Sequence, residues 1–231
     1  MSHMSPIIIA LDFSKPELAF ELIEQLGSCR VKIGKELFTR SGPILVEKLV
    51  AKGFEVFLDL KYHDIPNTVA KACSVAADLG VWMVNVHGLG GRNMMLAARD
   101  AVDKYTERPL LIAVSILTSL EQSDLVAVGL QGTVEDNVLR LARLTNDCGL
   151  DGMVCSPLEI VMLRNNLGKD FKLVTPGIRP VTVVDDQKRT MSPSQALQLG
   201  ADYLVIGRPI TAASDPLQAL LDIEQSILVG N

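Results

Sequence analysis

Cysteine is sparse and unpatterned in this chain. The four residues, Cys29, Cys73, Cys148 and Cys155, form no CxxC pair, so neither a disulfide framework nor a zinc ligand set is on offer, and the thiols are expected to be buried. Histidine numbers three, and with scattered carboxylates it gives no metal-ligand spacing. A basic excess is missing too. The formal net charge of −5 argues against a nucleic-acid or membrane-surface protein, because those gain affinity from surplus lysine and arginine. An anionic ligand would then need its positive partners gathered locally. No stretch approaches the ~18 consecutive apolar residues of a membrane span, and no basic-then-apolar leader precedes the first apolar run. The expected compartment is the cytoplasm. Met1, Ser2, His3 and Met4 read as a cloning remnant, which removes His3 from the chemistry.

What is present is a regular alternation of short apolar runs and amphipathic segments. The composition, 48% hydrophobic and 21% charged, is that of a folded protein. Apolar runs predict strands at 7–12, 30–34, 55–61, 82–87, 110–116, 152–155, 172–176 and 203–207. Helical periodicity falls between them at 15–26, 43–52, 66–79, 91–104, 134–148, 157–167, 193–199 and 216–228. Eight strands each followed by a helix predict an α/β fold, a single-domain (β/α)8 barrel over residues 5–231; such barrels run roughly 200–250 residues. No linker or low-complexity segment interrupts the spacing. Ser14-Lys15-Pro16-Glu17 has the form of a capping box, with Gly27 as the stop of the same helix. Ser192-Pro193-Ser194-Gln195 repeats the box with proline at the first helical position, and Asp215-Pro216 opens the last helix in the same way.

A barrel strand is buried on both faces, so a charge within one needs a reason. In Glu55–Lys61 the side chains alternate. Val56, Leu58 and Leu60 take one face, expected to pack on the helices, and Asp59 and Lys61 take the other, into the barrel mouth. The second strand repeats the design with Lys32 opposite Val31 and Ile33, and Asp12 ends the first. All four charges fall at or near C-terminal strand ends, where barrel enzymes build active sites. A salt-bridge network that merely closes the barrel end is the alternative. The phosphate end is legible separately, since barrel enzymes often hold phosphate with the loops after strands seven and eight. Strand seven is followed by a long connection, 177–191, carrying Arg179, Gln187, Lys188 and Arg189, and strand eight ends in Gly207-Arg208-Pro209. Glycine lets backbone amides approach an anion, and arginine binds it in bidentate fashion.

The run Asp59-Leu60-Lys61-Tyr62-His63-Asp64-Ile65-Pro66-Asn67-Thr68 resembles the DxKxxDIPNT signature of the orotidine 5′-monophosphate decarboxylase family. Ala10-Leu11-Asp12, Lys32-Ile33-Gly34-Lys35, Leu117-Thr118-Ser119, Thr175-Pro176-Gly177-Ile178-Arg179-Pro180 and Ile206-Gly207-Arg208-Pro209 look like further blocks of that family, in family order. They extend from the first strand to the last helix and are closest to the short, monofunctional bacterial form.

The resemblance implies decarboxylation of orotidine 5′-monophosphate to uridine 5′-monophosphate and CO2, the final step of de novo pyrimidine synthesis, with no metal or organic cofactor. By the same resemblance Lys61 is the cation and proton donor at the reacting carbon, Asp59 lies beside the departing carboxylate, and Lys32 and Asp64 complete an alternating Lys–Asp–Lys–Asp array. Asp12 and Lys32 would hold the ribose, Thr118 the pyrimidine, and Arg179, Gln187, Gly207 and Arg208 the phosphate, with Ile65 and Pro180 also in the substrate site. Asp64 and Thr68 would reach into a neighbouring subunit's site, which implies a homodimer with shared active sites. His63, Asn85, His87, Met94 and Met95 read as packing or hydrogen-bonding residues. Two rivals stay open. One is a magnesium-dependent relative, such as a 3-keto-L-gulonate 6-phosphate decarboxylase or hexulose phosphate synthase, against which the Ile65-Pro66-Asn67-Thr68 tail and Leu117-Thr118 speak. The other is a catalytically silent phosphate-binding barrel.

Overall fold

The computed structural model describes residues 5–179 and 191–229. Eight parallel strands, Ile7–Ala10 (β1), Arg30–Gly34 (β2), Glu55–Tyr62 (β3), Met83–His87 (β4), Leu110–Val114 (β5), Gly152–Val154 (β6), Lys172–Thr175 (β7) and Tyr203–Ile206 (β8), pair in chain order and close by β8 on β1. The helices around them are Pro16–Leu26 (α1), Lys35–Ser41 (α2), Pro43–Ala51 (α3), Pro66–Asp78 (α4), Gly91–Val102 (α5), Gln122–Ala127 (α6), Val134–Asp147 (α7), Ile160–Leu167 (α8), Pro193–Gln198 (α9), Arg208–Thr211 (α10) and Pro216–Val229 (α11). The expected (β/α)8 barrel is what forms. Three short helices, α2, α6 and α10, lie in segments that the periodicity left as connections.

Each element buries the face its spacing prescribes. In α1 the buried residues are Ala19, Leu22, Ile23 and Leu26, one stripe at helical spacing. The strands split their side chains between two cores. Ile8, Phe57, Met83, Ile112 and Val174 fill the barrel interior, whereas Ile7, Ile9, Val31, Ile33, Val56 and Leu58 face the helix layer. The alternation read along β3 therefore holds: Phe57 points inward, and Asp59 and Lys61 continue that face upward. All four cysteines are buried free thiols, and burial pushes Cys29, Cys73 and Cys155 up to about 12, which leaves them unreactive near neutrality. Among the described residues no helix is long and apolar enough to cross a membrane.

One expected cap does not form. The N-cap of α1 is Lys15, extended at φ −132° and ψ 132°, with no side-chain cap bond. A residue before proline is excluded from the helical region, so the helix can begin only at Pro16 and Ser14 sits one position too early. At Ser192 the serine itself precedes the proline and the box closes: its hydroxyl accepts the Gln195 amide, and the Gln195 side chain accepts the Ser192 amide. Asp215 likewise accepts the Gln218 amide at 2.9 Å.

Candidate active site

At the C-terminal end of the barrel the ladder between β3 and β4 breaks register. Leu58 pairs with Val84 and Tyr62 with Val86, so residues 59–61 stand against Asn85 alone. Extra residues in one strand of a pair bend it and re-aim its side chains. Lys61 adopts φ 54°, the one non-glycine residue with positive φ among those described, a conformation that costs on the order of 1–3 kcal/mol and persists only where the surroundings enforce it.

The re-aimed side chains meet β2. Lys61 Nζ lies 2.6 Å from Asp59 Oδ1, Lys32 Nζ lies 3.5 Å from Asp59 Oδ2, and Lys32 Nζ donates to Asp12 Oδ1 at 3.0 Å. The order is Asp12–Lys32–Asp59–Lys61, charges alternating across three strand ends. Burial opposes ionisation of Asp59, but the Lys32 and Lys61 charges, with hydrogen bonds from Lys61 and Asn85, outweigh it and hold the carboxyl below its ordinary value. Lys32, Asp59 and Lys61 line a cavity of about 210 Å³ whose walls include Phe57, Val114, Val154, Val205, Pro176 and Thr118. A carbanion or carboxylate placed there would face two ammonium groups over an apolar floor, where electrostatic interactions strengthen once a ligand displaces water. A cavity of about 660 Å³ opens elsewhere, beside Arg30, Asp202, Tyr203 and Glu224 at the N-terminal ends of β2 and β8. There Arg30 is already paired with Glu55 at 2.6 Å and Asp202 with Arg164 at 2.7 Å, so the smaller cavity is the candidate site.

The remaining expected residues are placed as follows. Gly207 caps the start of α10, with Arg208 exposed beside it; a Cβ on Gly207 would meet Ala10 Cβ at 3.5 Å and Asp12 Oδ2 at 4.0 Å, which puts this turn beside the Asp12 end of the array. After β7, Ile178 bridges to Met191, and the Arg179 amide donates to the Met191 carbonyl at 3.1 Å, so the two feet of the 177–191 connection are joined. Pro180, Gln187, Lys188 and Arg189 lie outside the described residues. Asp64 is not part of the array within this chain. Its Oδ1 accepts the Ile65 amide at 2.6 Å, and Asp64, Ile65 and Thr68 are all exposed.

His87 accepts the Leu89 amide at 3.3 Å, and its ring stacks on that of His63 at 5.4 Å. Burial, then the nearby His63, Lys35 and Lys61 charges, push His87 down to about 4, so it is a neutral, hydrogen-bonded residue of the mouth. Met94 and Met95 are buried in the helix layer. Asn85 is the residue whose part the sequence reading understated. It is fully buried and bonded to both Asp59 and Lys61, and its signal, a polar side chain in mid-strand, was the one that singled out Lys32. Among the described residues no three His, Cys, Asp or Glu side chains stand where they could hold a metal ion.

The sequence matches the family described as orotidine 5′-phosphate decarboxylase / HUMPS over residues 5–223. It is 60% identical over 228 residues to the orotidine 5′-phosphate decarboxylase of Chromobacterium violaceum, covering 97% of this chain and 92% of that protein. To the Nitrosococcus oceani protein of the same name it is 59% identical over 226 residues, covering 96% and 97%. The crystal structure of the orotidine 5′-phosphate decarboxylase from Lactobacillus acidophilus superposes with a TM-score of 0.87 at 38% identity, covering 96% of this chain and 98% of that one.

Proposed function

Because the chain belongs to the orotidine 5′-phosphate decarboxylase / HUMPS family, we propose that it converts orotidine 5′-monophosphate to uridine 5′-monophosphate and CO2 at the Asp12–Lys32–Asp59–Lys61 array. Breaking the bond between C6 and the carboxylate leaves its electron pair on C6, with no adjacent carbonyl to accept it. A cation held at that carbon lowers the barrier, and a proton delivered there completes the product. Lys61 Nζ does both, then recovers its proton from solvent. Asp59, 2.6 Å away, fixes the ammonium and presents negative charge to the substrate carboxylate, which is relieved as CO2 leaves. Lys32 tethers Asp59 and, with Asp12, reaches the ribose, while Thr118 meets the pyrimidine.

Phosphate binding falls to Arg179, Gln187, Gly207 and Arg208, with Pro180 beside them. Energy from that remote contact is expressed partly in the transition state. The array supplies the cation and the proton itself, so the reaction needs no metal or organic cofactor. A homodimer completes the site, with Asp64 and Thr68 entering that of the partner. Ile65, 66% exposed beside Leu89 in a shallow groove between the loops after β3 and β4, supports an interface there. A step of nucleotide synthesis of this kind suits the cytoplasm. The observation carrying the reading is the pair of ammonium groups on one partly buried carboxylate at the cavity wall. Incubation with orotidine 5′-monophosphate in excess chelator, following loss of the substrate's ultraviolet absorbance, tests it. Steady turnover is expected, whereas turnover that stops on chelation would favour a magnesium-dependent relative, and tight nucleotide binding without turnover a silent barrel.

A further inference from the structure

We infer that Asn85 is a positioning residue of the decarboxylation site, the side chain that sets both the rotamer of Asp59 and the left-handed backbone of Lys61. Asn85 stands in β4 opposite the irregular stretch 59–61 of β3 and is fully buried. Its Oδ1 accepts the Lys61 amide at 2.8 Å, and its Nδ2 donates to Asp59 Oδ1 at 2.7 Å. The reverse orientation of the amide would set donor against donor and acceptor against acceptor, so the partners fix which way it points.

Two consequences follow from that geometry. The Lys61 amide, turned out of the regular ladder by φ 54°, finds its acceptor on a side chain, so the unusual backbone that aims Nζ at the cavity is held by Asn85. The same carboxylate oxygen that receives Lys61 Nζ at 2.6 Å receives the Asn85 amide, which leaves Asp59 one orientation. Asn85 never needs to touch substrate. It acts through the two residues that do, and displacing reacting groups by about 1 Å can cost on the order of 100-fold in rate.

An aspartate at position 85 offers an unusually discriminating test. Protonated, it reproduces both bonds, its hydroxyl donating to Asp59 and its carbonyl accepting the Lys61 amide. Ionised, it puts a second carboxylate against Asp59 and competes for Lys61. Two carboxylates at hydrogen-bonding distance share one proton and lose it only at raised pH. The inference rests on the decarboxylase reading, so wild-type turnover of orotidine 5′-monophosphate is measured alongside. For Asn85→Asp, the ratio of its kcat to the wild-type kcat should fall at least tenfold between roughly pH 5 and pH 8 as that proton leaves. For Asn85→Ala, kcat should fall on the order of 100-fold while KM and affinity for uridine 5′-monophosphate stay within about threefold. If Asn85→Ala does not fold, the nearly isosteric Asn85→Asp carries the test alone. A ratio level with pH, or an alanine variant within threefold of wild-type kcat, overturns the role of Asn85. Absent wild-type turnover removes the decarboxylase reading and this inference together.

Discussion

Replacing Asp59 by asparagine keeps the shape of the side chain and removes the charge that two ammonium groups share. At an effective dielectric of about 20, the contacts at 2.6 Å and 3.5 Å correspond to about 6 and about 5 kcal/mol of gross attraction. Desolvation of each ion offsets several kcal/mol, and breaking a buried pair by removing one partner costs a net ~3–5 kcal/mol. Lys32 keeps Asp12 at 3.0 Å, but that carboxylate is 66% exposed and solvent screens it. For a domain of this size ~2–4 °C of Tm is lost per kcal/mol, so Asp59→Asn should melt roughly 6–20 °C below wild type at pH 7. The pH dependence gives a second check. Asp59 has a folded-state value below its unfolded one, so its contribution is full above the unfolded value and is lost as pH falls through the folded one. The gap in Tm between wild type and variant should therefore be level above about pH 5 and narrow below it. Thermal unfolding followed by circular dichroism from pH 8 to pH 3 reads both quantities. A variant as stable as wild type at pH 7, or a gap that does not narrow in acid, would refute this account of the array.

Other changes act elsewhere in the site. In the proposed reaction Lys61 is the cation and proton donor, so for Lys61→Ala kcat should fall by on the order of 10³ or more while uridine 5′-monophosphate still binds; turnover near wild type would refute that role. Lys61→Ala and Asp64→Ala homodimers should each be nearly inactive. Mixed after denaturation and refolding, they should regain about a quarter of wild-type activity if the proposed dimer shares its sites, because half the dimers would then be hybrids with one intact site; no recovery would refute the shared site. Ser192→Ala should destabilise by ~1 kcal/mol through loss of a formed cap, and Ser14→Ala by far less, a difference that urea midpoints resolve and that equal midpoints would contradict.

Much of this molecule was legible because barrel strands leave so few places for charge. Asp12, Lys32, Asp59 and Lys61 stand out at or near the C-terminal ends of mostly apolar runs, and period-two alternation puts Asp59 and Lys61 on the interior face where the structure holds them. What alternation could not show was the register break between Leu58 and Tyr62. A bulge depends on the partner strand as well as on the bulged one, and nothing in Asp59-Leu60-Lys61 forces it by itself. Asn85 reads from sequence only as a packing or hydrogen-bonding residue for the same reason, since its position opposite that break is visible only in the structure. The cap at Ser14 failed on a simpler point. The box pattern was present, but the bar that proline places on the preceding residue outranks it, and the helix starts one residue later. The short helices α2, α6 and α10, of seven, six and four residues, span too few turns for an apolar stripe to be visible in sequence.

Both ends of the barrel carry ions, and the two clusters are bonded differently. At the N-terminal end the paired charges are spent on the fold itself. Arg30 lies over Trp82 and Tyr203 and pairs with Glu55. Asp151 accepts the Leu111 amide that opens β5 and binds Arg99 and Arg108, and Asp202 accepts the Leu173 amide in β7 and binds Arg164. Those carboxylates take hydrogen bonds from backbone and guanidinium together, as a closing network should. At the C-terminal end the pattern inverts: Asp59 takes no backbone bond among those found, only Lys61, Lys32 and Asn85, and all three hold it against an open cavity. A carboxylate secured entirely by side chains, two of them cationic, is organised for an arriving charge, because the same cations that neutralise Asp59 can turn to the anion that forms beside it. In this barrel the two ion clusters differ in what the carboxylate is bonded to, backbone and guanidinium at one end and side chains alone at the other.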